Sequence, residues 1–196
     1  MTIILFIMEL LINNVNWPDR FPYAPETRVE VRNDHDNLYL HYYVKSEQLR
    51  AVTTEDQGPV WEDQCVEFFC QVPGDRHYIN FECNCIGAMV ASRRLSRTEE
   101  VVPFKPEEMA RIARRCTYPR QAIPEQDGLF EWEVELTIPL SLIFRDREPV
   151  FPQTLRANFY KCGDKTKKPH FLSWQPITLP NPNFHCPEFF GEIVLE

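Results

Sequence analysis

Six side chains with planar hydrogen-bonding groups, Glu67, Asn80, Glu82, Asn84, Arg156 and Asn158, sit within three segments whose other positions are largely apolar. Asn80, Glu82 and Asn84 are spaced two apart, as are Arg156 and Asn158. Residues two apart on a strand share a face. If these strands are neighbours, the groups make a polar floor. Carboxylate, amide and guanidinium groups form paired hydrogen bonds with vicinal hydroxyls, the chemistry a saccharide presents. A sugar ring also needs flat aromatic walls for its C–H faces. Trp61 stands just before one polar segment and Trp174 lies in a late loop, Phe171-Leu172-Ser173-Trp174-Gln175. The competing reading is a solvated sheet face with the tryptophans packed as plugs.

Other chemistries have weaker support. Cys83 and Cys85 share a strand face and could chelate with Cys162, His185 or Cys186, but the chain has no CxxC pair and the spacings match no common zinc module. A Cys162 nucleophile with His170 or His185 lacks any third group in sequence to orient it. Glu67 and Glu82 would suit a small glycosidase or lyase only if their carboxyls stood about 5 to 10 Å apart.

Composition removes whole classes. The 196 residues carry 21 basic and 29 acidic side chains, a formal net charge of −8. With no basic block to displace counterions from phosphates or anionic lipid, no nucleic-acid or membrane partner is expected. Seventeen Pro against six Gly, with neither GxGxxG nor GxxxxGK[ST], removes the Gly-rich phosphate-binding loops. Seven Cys, an odd number, argue for reduced and mostly buried thiols. The apolar run Thr2–Ile12 has no preceding Lys or Arg, is broken by Glu9 and lacks a cleavage site. It reads as a buried first strand, and the location as cytoplasmic.

The elements that must position these groups are mostly strands. Arg28–Val31 and Leu38–Lys45 alternate around the turn signal Asn33–Asn37, a hairpin. Cys65–Val72, Tyr78–Asn84, Ile86–Ala91, Phe130–Ile138, Leu155–Lys161 and Phe189–Leu195 read as further strands, with Trp132 in the core and Trp17 stapling the entrance loop. One helix is expected from Pro106 to Cys116, where Met109, Ile112, Ala113 and Cys116 share a helical face. The expected fold is all-β: a single antiparallel β-sandwich of the jelly-roll or immunoglobulin-like kind with one short helix, spanning residues 1–196.

The run Val60-Trp61-Glu62-Asp63-Gln64-Cys65-Val66-Glu67-Phe68-Phe69 resembles the W-x-D-x-x-V-E-F-F motif of carbohydrate-binding family 9-like domains, within the wider DOMON-like sandwich group. Tyr78–Asn84, Arg156–Cys162, His170–Trp174 and Phe184–Gly191 resemble a stand-alone branch of that family in Bacteroidetes-type bacteria. The resemblance implies a sandwich that binds sugar without cleaving it, between two Trp. Trp61 matches the first clamp, Glu67 a hydrogen-bonding carboxylate, and Trp174 the second clamp. Phe171 stands where the family pattern has Asn. With these, Asn84, Arg156, Asn158 and Lys161 complete the expected polar contacts. No cofactor is expected; some relatives hold calcium, but this chain has no Asp-rich loop to suit it. DOMON relatives that bind haem suggest a third reading, with Met89 and His170 or His185 as ligands.

Overall fold

The structure, a computed structural model, describes residues 7–196. Its strands build two antiparallel sheets. The first contains β1 (Met8–Leu11), β3 (Glu26–Asn33), β4 (Asn37–Ala51), β9 (Ala113–Cys116) and β10 (Ile123–Pro139), in the order β1-β3-β4-β10-β9. The second contains β2 (Asn14–Val15), β5 (Cys65–Gln71), β6 (Tyr78–Asn84), β7 (Met89–Arg94), β8 (Val102–Pro103), β11 (Gln153–Cys162), β12 (Phe171–Ser173) and β13 (Gly191–Leu195). Its order is β2-β12-β11-β5-β6-β7-β8, with β13 also on β11.

Alternation explains the main core. Leu38, Leu40, Tyr42 and Val44 of β4 and Trp132, Val134, Leu136 and Ile138 of β10 face inward. They meet Val66, Phe68 and Cys70 of β5, Ile79, Phe81 and Cys83 of β6, and Phe159 of β11. Phe68 stacks between Phe81 and Phe159 at 6.0 and 5.0 Å, and burial of such rings is the dominant stabilising term.

A second core lies on the outer face of the larger sheet. Phe69, Tyr78 and Tyr160 pack there against Trp17, Ile177, Phe184 and Phe190. The covering chain is the segment between β12 and β13. These two strands lie along one edge of β11, since β5 pairs with the other edge. The segment therefore leaves and rejoins the same edge after crossing the face. Prolines 176, 180, 182 and 187 suit such an irregular path. Trp17 ties the N-terminal loop to it, its Nε1 donating to the Leu179 carbonyl at 2.7 Å.

Two expectations need correction. The predicted helix is a single turn, α1 (Pro106–Met109), after which Ala113–Cys116 becomes β9 and pairs with Val134–Thr137 of β10. The extended form covers a sheet edge and lets Arg114 reach Asp56 with two hydrogen bonds of 2.7 and 2.9 Å, so tertiary pairing overrides the helical spacing. The first strand is not buried either. Of its predicted span, residues 2–6 lie outside the described residues, and β1 is an edge strand with alternate residues exposed (Leu11 is 55% exposed); Ile12, just after it, is buried.

Candidate functional site

The site starts with the motif around Trp61. Val60–Glu62 forms a 3-10 turn, and the backbone N–H groups of Asp164 and Lys165 donate to the carbonyls of Trp61 and Glu62 at 3.0 and 3.1 Å. Asp63 anchors this turn. Its buried carboxylate accepts from the backbone of Val52 and Thr53 at 3.0 and 2.9 Å, from Asn84 Nδ2 at 3.0 Å, and from Arg50. With the backbone held, the Trp61 side chain remains 39% exposed. Beyond it, Val66 and Phe68 enter the main core, Phe69 the outer one, and Glu67 the floor of a cleft.

That cleft has a volume of about 330 Å³. Trp61, Phe171, Phe184 and His185 supply the aromatic part of its lining. Phe184 is fixed by stacking on Tyr160 at 4.2 Å, and Phe171 packs edge-on to Trp17 and Phe21. Glu67 and Glu82 are directly paired across β5 and β6, so both carboxyls project to the floor, beside Cys162 and Asp164. Arg94 and Arg97 complete the rim.

Burial sets the charge of these groups. Desolvation, and then the Cys162 thiol, hold the Glu67 carboxyl well above its ordinary range, which favours its protonated form. The Cys162 thiol donates to Glu67 Oε1 at 3.0 Å. Desolvation carries Glu82 up to about 7 against the opposing pull of Arg94, and Asn80 Nδ2 donates to its Oε1 at 2.9 Å. Asp164 is raised to about 6, again by desolvation, with Arg97 opposing. His185 is held down to about 3 by desolvation and then by Arg94 and Arg97. Its Nδ1 lies 2.9 Å from the Tyr78 hydroxyl. The neutral ring that accepts there carries its proton on Nε2.

Of the residues predicted as sugar contacts, Trp61 and Glu67 line the cleft and the other five do not. Trp174 lies on the opposite face of its segment from Phe171, packing on Phe159 in the main core at 5.8 Å. Strand alternation thus presents Phe171, not Trp174, to the cleft. Lys161 likewise points inward. Its Nζ donates to Gln64 Oε1 at 2.6 Å and the Cys162 carbonyl at 2.7 Å, and lies 2.8 Å from His170 Nε2. Desolvation lowers its ammonium to about 8.

Asn84 is spent on Thr53, Asp63 and the Ala88 N–H. Asn158 holds the covering segment through both its groups, donating to Gln175 O at 3.1 Å and accepting from Gln175 N at 2.9 Å. Arg156 joins Gln71 Oε1 to the Pro187 carbonyl, each at 2.7 Å. These are clamps on the wall of the site. The cleft is also lined by Glu82, Arg94, Arg97, Asp164, Phe171, Phe184 and His185, none of which was among those expected contacts. Glu82 was legible from its spacing with Asn80 and Asn84; Arg94 and Phe171 sit at strand ends, and the others on loops, where no periodicity marks them.

The family model described as carbohydrate-binding family 9 matches residues 6–195. Among curated proteins no match is found. A crystal structure of a proposed carbohydrate-binding protein from Bacteroides uniformis ATCC 8492 is similar at a TM-score of 0.91 and 40% identity, over 97% of this chain and 87% of that one. Two family 9 modules from Caldicellulosiruptor kristjanssonii, in complex with glucose and with cellotriose, share the fold. Their TM-scores are 0.58 and 0.59 at 15% and 14% identity, covering 94% and 97% of this chain and 84% and 83% of theirs. By the family match and the 40% identical relative, this chain belongs to carbohydrate-binding family 9 and is a noncatalytic carbohydrate-binding domain.

Proposed function

We propose that the cleft holds one pyranose unit of a saccharide against the exposed face of Trp61, over the Glu67–Glu82 floor. The observation that carries this reading is the half-exposed Trp61 beside two paired, buried carboxyls in the same cleft. A volume of about 330 Å³ is at the small end of ligand sites, which run roughly 300 to 1,000 Å³. It suits a single ring with part of a second.

The floor offers both senses of hydrogen bond. Glu67, whose burial favours the protonated form, can donate as well as accept; Glu82, raised to about 7, does either at neutral pH; Asp164, raised to about 6, mainly accepts; Arg94 and Arg97 only donate. Sugar hydroxyls need that mixture. Phe171 and Phe184, in place of a second tryptophan, form the opposite apolar wall. The glucose and cellotriose held by the Caldicellulosiruptor modules support testing glucose and cello-oligosaccharides first.

One stacked ring and a few hydrogen bonds predict affinities in the micromolar to millimolar range, roughly −4 to −8 kcal/mol. The test is titration of intrinsic Trp fluorescence with a panel of mono- and oligosaccharides, repeated on Trp61→Phe and Trp61→Ala. A saturable change with one sugar class, kept in part by Phe and lost in Ala, supports the reading. A flat response from folded protein across the panel overturns it.

A further inference from the structure

At the inner end of the cleft, β5 and β11 bring together a set of groups that sugar binding does not need. Cys162 and Cys65 are directly opposite in register, and Glu67 lies two residues along on the same face as Cys65. One ligand atom from each of Cys65, Glu67 and Cys162 lies within 4.8 Å of the other two, and all three residues are buried. Around a tetrahedral zinc ion, with bonds of about 2.3 Å to sulfur and about 2.1 Å to oxygen, donor atoms stand roughly 3.3 to 3.8 Å apart. The cluster needs only side-chain adjustment to reach that spacing.

Two further observations favour a cation. Glu67 is 3% exposed, and the one protein hydrogen bond its carboxyl makes among the described residues is with the Cys162 thiol. A thiol is a weak donor, so a cation that displaces its proton offers the carboxyl a stronger partner. There is also an entry path. Glu67 and Cys162 line the cleft, and Glu82 and Asp164 line the same approach.

We propose that Cys65, Glu67 and Cys162 hold a thiophilic divalent cation of the zinc class, with its fourth coordination position open to the cleft. Two thiols and a mixed-in carboxylate select against calcium and magnesium, which take oxygen ligands. Binding forms two metal–sulfur bonds and one metal–oxygen bond. The protons of both thiols and of the carboxyl leave to solvent through the cleft, and no group is oxidised or reduced. Fully buried Cys83 and Cys85, the pair the sequence favoured for chelation, play no part, since Cys83 faces the main core and neither lines the cleft. The proposal does not depend on which saccharide binds, or on whether one does.

The test uses reduced full-length protein without sugar. Cobalt(II) should give a thiolate-to-metal charge-transfer band that zinc(II) abolishes, and dialysis against zinc should leave one equivalent by elemental analysis. Cys162→Ser and Cys65→Ser should each weaken cobalt affinity by about tenfold or more, while Cys116→Ser leaves it unchanged. X-ray absorption of the wild-type zinc complex should count two sulfur neighbours, a readout that needs no variant to fold. No stoichiometric uptake, an unchanged band in both serine variants, or a zinc shell without sulfur would each overturn the proposal. Metal uptake without any saccharide response would leave it standing and reject the sugar reading alone.

Discussion

The outer faces of the two sheets carry similar sequence patterns and opposite physics. On the five-stranded sheet, Glu131 and Glu133 of β10 alternate with core residues and stay in water. They pair with Lys45 and His41 at 2.8 Å each, and Arg28 bridges Glu9 and Glu30 at 2.9 Å. On the larger sheet, Glu67 and Glu82 also alternate with core residues, yet both are buried. No ladder of surface ion pairs forms there. The difference comes from the segment between β12 and β13, which lies over one outer face and not the other. Alternation names the face that a residue points to, whereas cover decides what pointing there means.

The comparison can be broken most severely by charge. Glu67→Lys places an ammonium among Cys65, Cys162 and buried rings, and should cost about 3 kcal/mol or more by urea unfolding. An undiminished midpoint would mean that the floor is wetter than its burial implies.

The second test is a pH profile. In the folded protein Glu82 titrates near 7, above its ordinary 4.5, so between these values the folded state holds a proton that the unfolded chain has lost. Its contribution is full below 4.5 and lost as the pH rises through about 7. Asp164, raised to about 6, acts in the same sense. His185, held down to about 3, acts oppositely, losing stability as the pH falls from 6.5. Glu82→Gln isolates one contribution. Between about pH 5 and about pH 8 its unfolding free energy should rise relative to wild type by up to roughly 3 kcal/mol. Parallel profiles for the two proteins would refute the assignment.

The third sharpens the reading of the tryptophans. Trp61→Ala should remove about 2 kcal/mol or more of saccharide binding, near thirtyfold, with little change in thermal midpoint. Trp174→Ala, which empties space against Phe159, should lower the midpoint and spare binding. The reverse pattern would return Trp174 to the site. The smallest effect is expected on the solvated face, where Glu133→Lys should shift stability by no more than about 0.5 kcal/mol, and any shift should fade with added salt.

Much of the fold was legible because local chemistry determined it. Phe130–Ile138 alternates without a break, and the Asn33–Asn37 turn sets the register of Leu38 opposite Asn33. Trp61 and Glu67 were legible through the W-x-D-x-x-V-E-F-F pattern, in which each residue type suits the place it takes. Pro106–Cys116 misled because its spacing satisfies a helix, while an open edge on β10 pays more for a strand.

The sequence by itself determined most of the strands and the face each of their side chains takes, because periodicity acts over a few residues; the turn at Trp61 is held by Arg50, Asn84, Asp164 and Lys165 from elsewhere in the chain. Only the tertiary structure decided which polar residues line the cleft. Asn84, Asn158 and Arg156 are consumed by backbone groups far along the chain, and Lys161 by Gln64 and the Cys162 carbonyl. Phe184, His185 and Asp164 reach the cleft from loops. A buried polar group must find partners wherever the chain brings them, and those of Ser92 Oγ and Lys161 Nζ include Asn80, 12 residues away, and Gln64, 97 residues away.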